Sequence, residues 1–325
     1  SKIPEIANSF SLMQSPAISL RRMEGRDRDA VTRLVFESTN AWYKAHFDKN
    51  VFGGEVTSCR VFPEVYEALD PGCCIIAEDQ ASGRLAGSCF FHPRETHYSL
   101  GIMNAHPDYF GQGVAAMILD EVIAIADSDA KPIRLVSSAM NLDSFSLYTR
   151  RGFVPYATFQ DMILPVPEEG LQVDVPADVA RVRDALPGDA VAMADLEMKL
   201  SGIRREQDFV HFIENAAGIW GGSVIEAEDG EMSGFLCSVK HEGSKMLGPG
   251  VSTGWQDAAA LIFAELNARH RGGAPVFLVP VDQGQLVATL YGWGARNCEM
   301  HVAQVRGEAR DFRGVNMPTF MPETG

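Results

Sequence analysis

Apolar positions recur along this chain with two periods, near two and near three and a half residues, and the two alternate. The run AISLRR (Ala17 to Arg22) predicts a strand, and DRDAVTRLVFESTNAWYKAHF predicts a helix with Val31, Leu34, Val35 and Trp42 on roughly one face. CCIIAED and RLAGSCFFHP predict two strands joined by the turn QASG, and HYSLGIMNAHP predicts another. Gly113 to Ala126 reads as an apolar helix, PIRLVSSAM as a strand, Ser144 to Arg151 as a short helix, and FQDMILPVP closes this half.

The second half repeats the order. Arg21, Asp27 and Leu34 match Arg183, Asp189 and Leu196 at one offset of 162 residues. GRLAG from Gly83 matches GEMSG from Gly230, and LYTRRG from Leu147 matches LYGWGA from Leu290. The matches are collinear, as a duplication requires. The expected architecture is α/β, an α+β mixed sheet in two tandem units. The first spans 15–165, a proline-bearing linker 166–178, and the second 179–306. The end, 307–325, polar and proline-bearing, is expected to be an extended surface segment.

Composition narrows the function classes. The length of 325 residues fits two domains, and 46% hydrophobic with 22% charged residues is ordinary globular usage. The net charge of −15 speaks against nucleic acid as a partner, because a polyphosphate needs clustered Lys and Arg. Cys59, Cys73, Cys74, Cys89, Cys237 and Cys298 show no CxxC spacing and read as reduced core residues, which suggests the cytoplasm. No apolar run reaches the length of a membrane span, and SKIPEIANSF has no apolar h-region of a secretory leader. No metal is expected. A monomer and a homodimer both remain open.

Two stretches carry chemistry. In IMNAHPDYFGQGVAAMIL a strand ends at His106-Pro107, a turn carries Gly111 and Gly113, and a helix begins at once. A helix N-terminus has unpaired N–H groups and partial positive charge, and glycine lets an anion approach them, which suits a pyrophosphate. In NLDSFSLYTRRGF, Asn141 precedes Tyr148 by nearly two helical turns, so both lie roughly on one face. Asn141 suits a helix cap or a contact to a ligand amide. The Tyr148 phenol suits a general acid for a departing thiolate.

Together the stretches resemble the GNAT superfamily of acyl-CoA N-acyltransferases over roughly residues 17 to 165. The family's Arg/Gln-x-x-Gly-x-Gly/Ala loop corresponds to Phe110, Gly111, Gln112, Gly113, Val114 and Ala115, with Phe110 replacing the leading basic or amide residue. Its later Asn-x6-Leu/Ile-Tyr-x3-Gly-Phe pattern is met by Asn141, Leu147, Tyr148, Gly152 and Phe153 with nearly matching spacing. The resemblance implies an acyltransferase, most simply an N-acetyltransferase, using acetyl-CoA or another acyl-CoA on a small-molecule or peptide amine. It also implies that the strand before Asn141 splays from the strand ending at His106. Met103, Asn104 and Ala105 would then hold the pantetheine arm through their backbone, Gly111 to Ala115 the pyrophosphate, and Asn141 the arm again.

Many members of the family have a glutamate five residues before the Asn; here it is Val136. The turn HPRETHYS offers His92, Glu95 and His97 as candidate bases, and of these Glu95 and His97 are expected near the cleft mouth, acting directly or through water. The second half has Gly284 where an Asn would stand and no compact glycine loop, so it reads as a degenerate copy. The rival reading is a non-catalytic acyl-CoA-binding or regulatory protein, which Val136 favours and Tyr148 opposes.

Overall fold

The computed structural model describes residues 17–320. The stretch SKIPEIANSF, residues 15 and 16 of the first expected unit, and residues 321–325 lie outside them. The first half runs β1 (Ile18–Arg22), α1 (Arg28–Phe47), α2 (Val61–Leu69), β2 (Cys74–Asp79), β3 (Leu85–Pro93), β4 (Tyr98–Ala105), α3 (Val114–Ser128), β5 (Ile133–Ser138), α4 (Leu142–Thr149) and β6 (Val154–Ile163). The second runs β7 (Val182–Asp184), α5 (Ala190–Ser201), α6 (Glu206–Glu214), β8 (Trp220–Glu226), β9 (Met232–His241), β10 (Ser244–Ser252), α7 (Trp255–Arg269), β11 (Val276–Pro280), α8 (Gly284–Gly292), β12 (Arg296–Arg306) and β13 (Val315–Met317).

The duplication shows in side-chain chemistry as well as in element order. Arg21 clamps Asp27 (2.6 Å) and Glu78 (2.8 Å). Arg183 clamps Asp189 (2.7 Å) and Glu226 (2.7 Å) in the same way. In each half the Asp also accepts a backbone N–H three residues before it, from Glu24 and from Leu186, and so fixes the turn into the helix.

All strands join one mixed sheet in the order β1-β2-β3-β4-β5-β12-β6-β11-β10-β9-β8-β7, with β13 on β10. The order is palindromic with one exchange. β12 pairs with β5, and β6 pairs with β11, so each half's last long strand lies beside the other half's parallel pair. β6 and β12 also pair with each other. One face of the sheet carries a single apolar core built by both halves, including Val31, Val35 and Phe62 with Met193, Phe209 and Phe235. The opposite face carries two separate cores, one around Ile118, Leu119 and Val122 of α3 and one around Leu261, Ile262 and Leu266 of α7.

Two expectations need correction. Residues 315–319 are buried rather than a surface segment. β10 has an unpaired edge where it leaves β11, and its backbone groups are satisfied by β13. None of the six cysteines is in a disulfide, but Cys298 is exposed rather than in the core. It lies where β12 bulges between Asn297 and Glu299.

Candidate active site

The site begins with a fault in β4. The β3–β4 register slips by one residue between Cys89↔Met103 and Phe91↔Leu100. The extra residue falls at Gly101–Ile102, where a Cβ on Gly101 would stand 2.9 Å from the Phe90 carbonyl oxygen. A bulge bends its strand. β4 and β5 accordingly pair in parallel only at Tyr98↔Ile133 and Ser99↔Arg134, and beyond these they diverge into a V-shaped gap. Met103 packs with the core under α3, while Ile102 and Val136 pack with the core under α1. The Asn104 amide donates to Thr39 Oγ1 (3.2 Å), and its buried Oδ1 has no hydrogen-bond partner among the described residues.

The open end of the gap leads into the glycine turn. After Ala105 a short 3-10 turn over Pro107–Tyr109 brings the chain to Gly111 (φ 75°) and Gly113 (φ 79°). Both are left-handed, which is why glycine stands there. A Cβ at either position would meet nothing within 4 Å, so the space beside this backbone is open. α3 starts at Val114 with no side-chain cap on its N-terminus, leaving its first N–H groups available. Val114 is buried and Ala115 half-buried, anchoring the turn. Phe110 is exposed, and Gln112 Nε2 donates back to the Asp108 carbonyl (2.9 Å).

α4 follows β5 at the same end. Asn141 Oδ1 accepts from Ser144 N (3.0 Å), so this oxygen caps the helix, and the helix starts at Leu142, two residues earlier than expected. Tyr148 is 6% exposed and packs against Phe153 (ring centroids 5.7 Å) in the core that also holds Cys89 and Val114. Burial, and secondarily the nearby Cys89, push its phenol pKa up. Tyr148 is therefore held in the protonated form that a general acid requires.

The two expected bases are not at the gap's mouth. His97 precedes Tyr98, at the closed end where β4 and β5 still pair, and it is 1% exposed. Burial, then the charges of Arg134, Arg94, Arg205 and Lys131, hold its pKa well below the usual imidazole value. The sequence signal, a polar HPRETH turn, hid the fact that the turn is packed against the second half. Arg94 bridges Asp70 (2.8 Å) and Asp208 (2.8 Å), both buried. Glu95 is exposed and pairs with Arg204 (3.3 Å), also of the second half.

A polar group that sequence reasoning missed stands at the open end, on the α1 side. Tyr43 Oη donates to Glu299 Oε1 (2.7 Å), and Ser138 Oγ donates to the same oxygen (2.5 Å). One strand-step further in, His301 Nδ1 lies 2.8 Å from Asp161 Oδ1. Tyr43 belongs to α1, Ser138 to β5, Glu299 and His301 to β12, and Asp161 to β6. Burial and the Glu299 charge push the Tyr43 phenol pKa up, keeping it a donor. Burial raises the Asp161 carboxyl pKa against the opposing pull of His301. No local motif marks these residues, since their partners are 140 to 256 positions apart.

The corresponding places in the second half differ. β10 pairs with β11 only at Met246↔Val276, just before a register slip between Leu247 and Gly250 like that in β3–β4. Here β13 pairs with the edge of β10 that diverges from β11. Gln283 gives α8 no side-chain cap, and Tyr291 is exposed, donating to Gln160 Oε1 (2.7 Å). Among the described residues no group of three His, Cys, Asp or Glu side chains is gathered as for a metal, and no helix is long and apolar enough to cross a membrane.

Residues 38–153 match the profile of the acetyltransferase (GNAT) family. No curated protein sequence matches the chain. Solved structures do, at low identity. A Pyrococcus horikoshii protein described as a candidate acetyltransferase superposes with a TM-score of 0.68 at 14% identity, covering 93% of this chain and 92% of its own. A GCN5-related N-acetyltransferase from Sphaerobacter thermophilus gives 0.61 at 15% identity, covering 91% and 97%. A tandem GNAT protein from the clavulanic acid biosynthesis pathway gives 0.59 at 13% identity, covering 90% and 100%.

Proposed function

We propose that this chain, a tandem GNAT-fold protein whose residues 38–153 belong to the acetyltransferase (GNAT) family, is an acyl-CoA-dependent N-acyltransferase with its acyl-CoA site in the first half. The observation that carries the reading is the junction of two features: the parting of β4 from β5 after Ser99, and the glycine turn with an uncapped helix N-terminus at the open end. Met103, Asn104 and Ala105 pair with β3 on one side and have no strand partner on the β5 side, which suits an extended arm carrying amides. The N–H groups from Gly111 to Ala115, beside open space, suit a pyrophosphate. The second half, with β13 on the corresponding edge, is read as a degenerate copy.

The chemistry follows from what these residues can do. Backbone N–H groups along the parted strand polarise a thioester carbonyl. Holding acyl donor and amine together supplies much of the rate through orientation. Tyr148, kept as a phenol by burial, gives its proton to the departing thiolate. The acceptor is a small-molecule or peptide amine, and acetyl-CoA is the simplest donor.

The test is a screen of primary amines with acetyl-CoA, reading free thiol by a colorimetric reagent and the amide by mass spectrometry. Amine-dependent thiol release in step with amide formation supports the reading. Tight acetyl-CoA binding without transfer to any amine turns it into the acyl-CoA-binding alternative.

A further inference from the structure

The site so far has an acid and no base. Val136 cannot take a proton, and His97 and Glu95 are elsewhere. We infer that Glu299, carried by the last long strand of the second half, receives the acceptor's ammonium group and takes its proton, so that the catalytic centre is shared between the two halves. This inference rests on the acyltransfer reading above.

Three observations converge on Glu299. The first is position. Ala139 N donates to Met300 O (2.8 Å), so β12 runs alongside β5 to its end and sets Glu299 just beyond Ser138, at the open end of the gap. The second is orientation. Both hydrogen bonds, from Tyr43 and from Ser138, go to Oε1, and among the described residues Oε2 has none. One oxygen fixes the carboxylate and the other is left for a donor such as an ammonium N–H.

The third is the side of the sheet. Tyr148 lies in the core under α3, whereas Tyr43 and Val136 belong to the α1 side. A thioester passing through the gap would turn its sulfur toward Tyr148 and leave its carbonyl carbon open from the Glu299 side. The groups facing Glu299 are Tyr43 from α1, Lys49 just after it, Ser138 from β5, Asp161 from β6, and Cys298 and His301 on its own strand. Two carboxylates against one lysine favour a cationic acceptor.

The step balances as follows. The acceptor R–NH3⁺ gives one proton to Glu299, and the nitrogen lone pair forms a bond to the acyl carbon. The C–S bond breaks, and the thiolate takes the Tyr148 proton. The nitrogen's second proton restores the phenol, and Glu299 releases its own proton to solvent, giving amide, free thiol and one H⁺.

The experiment compares wild type, Glu299→Gln, Glu299→Asp and His301→Asn. It uses putrescine, glucosamine, benzylamine and a short unblocked peptide as acceptors, from pH 6 to 10, with acetyl-CoA affinity measured by calorimetry. Glutamine keeps an Oε1 acceptor for Tyr43 and Ser138, so the site should stay folded. The expected result is an unchanged acetyl-CoA affinity and a fall in kcat/KM of at least about 100-fold at pH 7 for Glu299→Gln. That fall shrinks toward pH 10, where the amine is already neutral, and Glu299→Asp recovers part of it. A Glu299→Gln profile that overlays wild type, or a pH-dependent loss found in His301→Asn instead, overturns the assignment while leaving acyl transfer intact. A wild type that binds acetyl-CoA and acetylates none of the amines overturns the acyltransfer reading and this inference with it.

Discussion

Gly250 and Met317 face each other across an antiparallel ladder, so Val315–Met317 lie on the β10 edge whose counterpart in the first half is left open. Val315 and Met317 are 1% and 4% exposed there. Burying two such side chains stabilises by roughly 3–6 kcal/mol together, before the ordering entropy of the strand is counted. A chain ending at Gly314 should therefore lose a few °C of thermal midpoint, since at about 2.1 cal/mol/K of unfolding entropy per residue 1 kcal/mol shifts a chain of this length by roughly 1.5 °C. Differential scanning calorimetry checks this, and an unchanged midpoint would show that β13 is a passive tail.

Tyr148→Phe removes one hydroxyl from a packed position. We expect kcat to fall at least about tenfold with a good acceptor while acetyl-CoA affinity stays the same. The sign of the pH effect follows from burial. The phenol's pKa is raised, so it remains a proton donor above pH 10, where an exposed tyrosine would ionise. The wild-type rate should show no alkaline limb near 10 from this group. Equal kcat in the variant would reduce Tyr148 to packing.

His97 should govern stability rather than rate. Its pKa is depressed by burial among four cations, so the unfolded chain binds more protons than the folded one below the unperturbed value of about 6.5. The neutral side chain's contribution is complete above that value. It is lost as pH falls toward the folded pKa, at up to about 1.4 kcal/mol per unit. His97→Gln should thus flatten the fall in midpoint on acidification from pH 6.5 and leave the pH–rate profile on top of wild type. Thermal melts and steady-state rates at matched pH decide it; a displaced rate profile would return His97 to the reaction.

What was legible in the sequence was local. The glycine turn before α3 and the Asn141 cap each lie within a few residues of what they act on, and the structure has both. The duplicated Arg21–Asp27 and Arg183–Asp189 clamps were visible as a constant offset. What was hidden depends on pairing across the chain. The exchange of β6 and β12 leaves no trace in period-two alternation, because a strand shows the same pattern beside either neighbour. That exchange brings Glu299 to Ser138 and buries Asp161 beside His301. His97 misled because a polar turn is ordinarily solvated, and this one is enclosed by Arg94 and Arg134, both held by second-half partners, and by Arg205 of the second half itself.

Whether the first half alone holds the acyl-CoA is decided by a calorimetric titration of acetyl-CoA into wild type and Gly113→Glu. Gly113 is left-handed, faces open space and lies just before the uncapped start of α3. Glutamate there brings bulk and negative charge to the place assigned to the pyrophosphate. The expected result is one acetyl-CoA per wild-type chain and binding weakened at least about 100-fold, or lost, in the variant, since the phosphate contacts and the helix terminus act together. Two sites per chain, or an unchanged affinity in Gly113→Glu, would contradict it.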